Sequence, residues 1–154
     1  MTDIATLDFG RFKRRGYPEA VLCQGKSVEQ VRTIARAWRE RTEETDEPLG
    51  TVLFTRADDE QLDAVREELS GRSTSTRPSA SRGGRLSTSD LPGDSVAGAG
   101  SGTVFVDETA RLAAWPAEPP PPSGGRVTVV CAGTSDLPVA REAALTARHL
   151  GREV

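Results

Sequence analysis

Gly133, Thr134, Ser135 and Asp136 stand between a run of β-branched residues, "RVTVVCA", and an alanine-rich stretch that opens with Pro138. A glycine turn leading from a strand into a helix presents free backbone N–H groups and the positive end of the helix dipole to an anion. The Thr134 and Ser135 hydroxyls add two donors, and the Asp136 carboxylate can accept from ribose hydroxyls. This chemistry suits a phosphate or a carboxylate. The same four residues also suit an ordinary capped helix with no ligand, because Ser and Asp are preferred caps.

A second cluster is basic: Arg11, Lys13, Arg14 and Arg15 precede "GYPEA". As a site it would supply cations to a dinucleotide pyrophosphate or to an acidic neighbouring subunit; as a solvated face it needs no ligand. Residue counts exclude other chemistries. His149 is the only histidine, so a multi-histidine metal site is absent and a Ser-His-Asp relay would have to use the last turn of a helix. Cys23 and Cys131 are the only cysteines and lack CxxC spacing, which argues against a disulfide framework and a structural zinc site. Both read as core residues, although Cys131, at the end of a strand beside the glycine turn, stands where a nucleophile would be useful. Trp38 and Trp115 fall on apolar stripes and read as core. His149 reads as a residue that offsets its helix dipole or faces water.

The elements that must position these residues are legible from periodicity. Residues 20–23 form a short apolar run of strand character. Ser27 and Gln30 fit a capping box, after which Val28, Val31, Ile34, Ala35 and Trp38 recur at helical spacing, with Arg32, Arg36, Arg39 and Glu40 on the opposite face. That helix should end before Pro48. Residues 49–55, "LGTVLFT", are a β-branched and aromatic strand, and Asp58 with Gln61 opens a second helix striped by Leu62, Val65 and Leu69. Residues 103–115 read as two short strands in a hairpin. Residues 126–132 read as a strand buried on both faces. Ser135 or Asp136 caps the following helix, Pro138 sits in its first turn, Ala140, Ala143, Ala144 and Ala147 form a close-packing stripe, and Gly151 ends it. "REV" begins another strand.

The composition sets the domain organisation. Only 36% of the 154 residues are hydrophobic, low for a chain that packs throughout. Residues 71–102 are dominated by Ser, Thr, Gly and Pro without periodicity, and such a stretch buries too little apolar surface to offset an ordering cost of roughly 1–2 kcal/mol per residue. The expected division is an α/β module at 1–70, a disordered insertion at 71–102, a strand pair at 103–115 completing the module, a Pro/Gly linker at 116–125, and a second unit at 126–154. The formal charge of −3 favours neither nucleic acid nor an anionic membrane surface. The first twenty residues contain no apolar signal region, and no apolar run approaches the roughly 18 residues of a membrane span. The expected location is cytoplasmic, with no nucleic-acid or membrane partner.

Residues 7–31, "LDFGRFKRRGYPEAVLCQGKSVEQV", resemble the N-terminal signature of the LarB family, carboxylase/hydrolases of nickel-pincer nucleotide cofactor biosynthesis. In that family an Asp-x-x-Arg-x-x-Arg-x-Gly-x-Pro-Glu pattern leads to a Gly-Lys-(Ser/Thr) pair and a helix. The matching positions are Asp8, Arg11, the Lys13-Arg14-Arg15 run, Gly16, Pro18, Glu19, Gly25, Lys26 and Ser27. Residues 126–154 are similar to the start of that family's second domain, related to the purine-pathway carboxyaminoimidazole ribonucleotide mutase PurE. The two matches stand in the family's order.

The resemblance implies a small α/β module followed by the first βα unit of a truncated three-layer α/β/α domain, PurE-like and flavodoxin-like. It implies carboxylation of the pyridinium ring of nicotinic acid adenine dinucleotide, with CO2 or bicarbonate as co-substrate, and hydrolysis of the phosphoanhydride to release AMP. In the family a cysteine thiolate adds transiently to the ring and makes it electron-rich. Carried over by position, Gly133, Thr134 and Ser135 hold phosphate, Asp136 contacts ribose or orders the ring, and Arg11, Arg15 and Lys26 are dinucleotide contacts. No covalently bound cofactor is implied. Magnesium at the phosphoanhydride is chemically reasonable, yet no ligand cluster is visible in the sequence. The full-length family forms homo-oligomers. Its nucleophilic cysteine lies downstream of the matched segment, so Cys131 does not inherit that role, and this polypeptide alone is expected to be inactive. Two other readings are an aminoimidazole ribonucleotide carboxylase or mutase, named from the second domain alone and disfavoured by residues 7–31, and a non-catalytic nucleotide-binding or association module.

Overall fold

The computed structural model describes residues 7–46, 49–70 and 102–154. The chain runs through α1 (Arg11–Arg15), β1 (Glu19–Leu22), α2 (Val28–Glu44), β2 (Val52–Thr55), α3 (Asp59–Leu69), β3 (Phe105–Asp107), β4 (Leu112–Trp115), a 3-10 turn at Thr134–Asp136, and α4 (Leu137–His149). The strands form one mixed sheet in the order β1-β2-β4-β3, which places the fold in the α/β class. Parallel strands β1 and β2 are joined by α2, with Leu22 opposite Thr55. Strand β4 pairs antiparallel with β2, and β3 pairs antiparallel with β4. The hairpin expected within 103–115 is therefore present, with its second strand beside β2 and its first at the sheet edge. The stretch 71–102, expected as a disordered insertion, lies outside the described residues apart from Gly102.

Both long helices of the first half begin where their caps require. The Ser27 hydroxyl accepts from the Gln30 N–H at 3.2 Å, and the Gln30 side chain accepts from the Ser27 N–H at 2.9 Å. Asp58 and Gln61 repeat the arrangement at 2.9 and 3.0 Å. Each reciprocal pair satisfies N–H groups that the helix itself leaves unpaired. The apolar stripes then face one side of the sheet: Val31, Ile34, Ala35 and Trp38 of α2 and Leu62, Val65 and Leu69 of α3 bury with Val21, Val52, Phe54, Ala113 and Trp115. Alternation along the strands sends Leu53, Leu112 and Ala114 to the other side, where Ala110, Phe105 and Leu145 of α4 meet them. Helices thus lie on both faces of the sheet. Gly50 has φ +75°, and a Cβ there would come within 2.6 Å of the Phe12 ring; glycine lets α1 close onto the entry to β2.

The face of α2 opposite its apolar stripe is not simply solvated. Arg32, Arg36 and Arg39 converge on Glu68 of α3, with Arg32 Nη1 at 3.3 Å and Arg36 Nη2 at 2.9 Å from Oε1, and Arg39 Nη1 at 3.7 Å from Oε2. Arg39 also donates to the Glu68 carbonyl at 2.8 Å. The Arg36 hydrogen bond, with help from Arg32, holds the Glu68 carboxyl below the ordinary range against the opposing effect of burial. This guanidinium cluster clamps α2 to α3.

The strand expected over residues 126–132 is not formed as a sheet strand. Its residues form no regular strand, with Val127 and Val129 half-buried, Val130 86% exposed, and, among the described residues, one isolated parallel bridge between Arg126 and Glu153. The physical reason is the lack of neighbours: a strand apolar on both faces needs partners on its edges and layers above and below. The "REV" strand is likewise reduced to that bridge, closed by Val127 N–H to Glu153 O at 2.8 Å and an Arg126–Glu153 ion pair at 2.9 Å. Helix α4 does form, with Pro138 in its first turn and Gly151 just beyond its end.

Candidate functional site

The Gly133–Asp136 turn is fully on the surface. It is a single 3-10 turn in which the Asp136 N–H donates to the Gly133 carbonyl at 3.1 Å. Asp136 occupies the N-cap of α4, but neither it nor Ser135 makes the expected capping bond; the Ser135 hydroxyl instead reaches Asp136 Oδ1 at 3.4 Å. The cap residue has helical backbone angles, which direct its carboxylate away from the first-turn N–H groups. Those groups therefore lack the side-chain caps that α2 and α3 carry.

The turn is held in place by α4, and α4 is held by a buried carboxylate. Asp107, 8% exposed at the end of β3, accepts the Ala110 N–H at 2.7 Å and the Arg141 guanidinium, at 3.1 Å from Nε and more closely from Nη2. About two turns of helix further on, His149 packs its ring 6.1 Å from that of Phe105. His149, expected at the surface, is 3% exposed, because the last turn of α4 lies against the back of the sheet. Burial, together with the Arg148 charge, lowers its pKa to about 4. With Arg141 anchored at Asp107, the amino half of α4 stands at the carboxyl end of β2 and β3, and Arg56, immediately after β2, has its Nε 4.0 Å from Glu142.

At the same end of the sheet the loop after β1 is fixed from beneath. The buried Gln61 amide donates to the Cys23 carbonyl at 3.3 Å and the Lys26 carbonyl at 2.7 Å. Cys23 is fully buried, as expected, and burial pushes its thiol up to about 12. A thiol so protonated is structural rather than nucleophilic. Lys26 is half-buried.

The basic cluster lies elsewhere. Arg11 reaches Glu19, the first residue of β1, at 3.3 Å and lies 5.1 Å above the Tyr17 ring. Arg14 is paired with Asp8, and its hydrogen bond holds the Asp8 carboxyl below the ordinary range. Arg15 is exposed in the last turn of the short helix α1. Arg11 and Arg15 are therefore at the amino end of β1 and Lys26 at its carboxyl end, roughly 13 Å apart along a four-residue strand. The structure brings Lys26 and the Gly133–Asp136 turn to one end of the sheet and leaves the two arginines at the other. Sequence reasoning missed Arg56, Arg141 and Asp107; a cation directly after a parallel strand is the one signal that was available for Arg56.

Cys131 is exposed rather than in the core, since the segment carrying it is not embedded in a sheet. The two thiols are expected to separate in a titration with an aromatic disulfide reagent: Cys131 reacts in the native protein within minutes, and Cys23 only after denaturant is added. Simultaneous reaction of both would contradict the burial of Cys23. Among the described residues no group of three or more His, Cys, Asp or Glu side chains could hold a metal ion, and no helix is long and apolar enough to cross a membrane.

Comparison with curated proteins finds no match. A family model described as the LarB/PurE-like N-terminal domain matches residues 1–80, taking in α1 to α3, the Arg11–Glu19 pair and the Lys26 loop. With that match covering more than half of the chain, and with a mixed α/β sheet in the structure, the protein belongs to the LarB/PurE-like family, a group of PurE-related carboxylases, and its first 80 residues are that family's N-terminal domain.

Proposed function

We propose that this chain is the nucleotide-binding part of a carboxylase that acts on the pyridinium ring of nicotinic acid adenine dinucleotide and releases AMP. The observation that carries this reading is the exposed Gly133–Asp136 turn, whose helix N–H groups have no side-chain cap and which lies towards the carboxyl end of the parallel strand pair, the same end as the Lys26 loop. In this reading the turn takes a phosphate, Thr134 and Ser135 donate to its oxygens, and Asp136 accepts from ribose. Arg11 is already neutralised by Glu19, which leaves Arg15 and Lys26 as the freer dinucleotide cations. The described residues do not fit a resident magnesium ion, so no step is routed through one. A transient thiolate adduct on the ring needs a cysteine that Cys23 cannot supply, because its thiol stays protonated.

Calorimetric titration of the chain with the dinucleotide and with AMP tests the proposal. Saturable binding is expected, weakened about a hundredfold or more by Thr134→Val combined with Ser135→Ala, since each charge-assisted hydrogen bond contributes about 1.5–3 kcal/mol and each ~1.4 kcal/mol is about tenfold in affinity. A flat titration, or binding indifferent to both substitutions, removes the reading. The isolated polypeptide is expected to leave the ring uncarboxylated, and release of AMP with ring carboxylation from the purified chain would overturn that part. The purine-pathway alternative, an aminoimidazole ribonucleotide carboxylase or mutase, predicts binding of a mononucleotide in place of the dinucleotide in the same titration.

A further inference from the structure

Most arginines among the described residues are committed. Arg32, Arg36 and Arg39 serve Glu68, Arg141 serves Asp107, Arg14 serves Asp8, Arg66 serves Asp63, and Arg111 donates to the Ala57 and Arg56 carbonyls at 2.9 and 3.2 Å. Arg56 is different. Among the described residues its side chain, 56% exposed, donates to the neutral Gln24 Oε1 at 3.4 Å and meets Glu142 only at 4.0 Å, a long ion pair compared with the others. Its backbone is fixed in the left-handed region at φ +52°, pinned by the Arg111 bonds and by the Ala57 N–H to Arg111 O bond at 3.0 Å.

Lys26 lies in the adjoining loop. The Cys23 N–H bonds Thr55 O at 2.9 Å and the Lys26 N–H bonds Cys23 O at 2.9 Å, so the Gln24–Lys26 turn sits directly alongside Thr55 and Arg56. The carboxylate nearest Arg56 in sequence, Asp58, is already occupied as the cap of α3, and the one nearest Lys26, Glu29, lies 4.0 Å from Arg32. Gly25, at φ +83°, has open space where a side chain would project. Two cationic residues thus stand on adjoining loops at this open turn, and among the described residues Glu142, at 4.0 Å from Arg56, is the one carboxylate that pairs with either. The helix N-termini nearby add nothing here, because Ser27 and Asp58 cap them already.

We infer that Arg56 and Lys26 form a phosphate-binding subsite over the Gly25 turn, which takes one phosphate of a diphosphate-containing nucleotide. Arg56 is its principal anchor, since a guanidinium presents paired donors to phosphate oxygens. The inference rests on the proposed nucleotide function and adds to it a residue, Arg56, and a second phosphate position distinct from the Gly133–Asp136 turn.

The test is titration of the full chain with inorganic pyrophosphate and separately with nicotinic acid adenine dinucleotide, using wild type, Arg56→Gln, Lys26→Gln and the control Arg66→Gln. Arg56→Gln is expected to weaken pyrophosphate binding by about tenfold or more, Lys26→Gln by several-fold, and Arg66→Gln not at all, with affinity falling as salt rises. Unchanged circular dichroism and melting of the variants shows that folding is preserved; should Arg56→Gln melt early, Arg56→Lys, which keeps the charge and loses the fork, is expected to bind at an intermediate level. An Arg56→Gln curve that superimposes on wild type overturns the subsite, even if the dinucleotide still binds through Ser135. Pyrophosphate binding that depends on Arg56, with the dinucleotide bound no more tightly than pyrophosphate, upholds the subsite and overturns the nucleotide reading.

Discussion

Trp38→Ala is expected to destabilise the protein by about 3–5 kcal/mol, enough to leave much of the chain unfolded at 37 °C. Trp38 is 1% exposed at the centre of the α2–α3 layer, and Phe9 stands edge-on to it with ring centroids 5.0 Å apart. Truncation removes the largest side chain of the core, leaves a cavity walled by strands and helices that cannot collapse into it, and releases the segment carrying Phe9. Trp38→Phe is the informative partner substitution. The indole Nε1 has no hydrogen-bond partner in its buried position, so phenylalanine gives up volume but also removes an unsatisfied donor. Urea unfolding followed by circular dichroism should therefore place Trp38→Phe within about 1–2 kcal/mol of wild type, far above Trp38→Ala. Near-equal losses for the two variants would show that the site is not packed as described.

Acidification is expected to release α4 through His149. The ordinary value for this imidazole is 6.5, and burial lowers it to about 4 in the folded protein. Docked α4 therefore holds His149 neutral, and the released or unfolded form binds the extra proton between these two values. Stability rises with pH in that window: the contribution is complete above about 6.5 and is lost progressively as pH falls towards 4. The full shift is worth about 3 kcal/mol. Phe105 packs against the ring and the Arg148 charge neighbours it, and among the described residues no carboxylate pairs with it to offset the cost. Hydrogen exchange at pH 7 and pH 5 should show α4 amides losing protection on acidification while those of α2 and α3 keep theirs. In His149→Phe this difference should vanish, and a pH response unchanged by that substitution would assign it to other groups. Glu68 adds an opposite-type group with the same direction: its carboxyl is depressed by Arg36, so its stabilisation is present above the ordinary carboxylate range and is lost below it.

The consequence for the candidate site is mechanical. Asp107 and Arg141 hold the amino half of α4, His149 and Leu145 its remainder, and the Gly133–Asp136 turn rides on that helix. Loss of α4 docking removes the turn from the end of the sheet where Lys26 and Arg56 stand.

How far the sequence alone reached follows from the range of the interactions involved. Ser27 with Gln30 and Asp58 with Gln61 are three residues apart, and the stripes of α2 and α3 repeat within one or two helical turns, so helix starts and buried faces were legible directly. The strand character of residues 49–55 and the hairpin within 103–115 were legible for the same reason, with boundaries off by a few residues because strand ends depend on a partner's register. The "GYPEA" and "QGKS" motifs marked the family without any geometry. The rest needed the folded chain. Arg32 and Glu68 are separated by 36 residues, and Arg141 and Asp107 by 34; no periodicity encodes which charges meet across such distances. His149 and Cys131 were assigned to the wrong environments because burial is decided by whether a neighbouring layer exists. Residues 126–132 have the composition of a strand but, among the described residues, pair only with Glu153, whereas α4, expected on a sheet of its own, finds the back of this one. Local pattern decides what a segment can become. Which faces are covered, and so which cations remain open to a ligand, was decided only by tertiary packing.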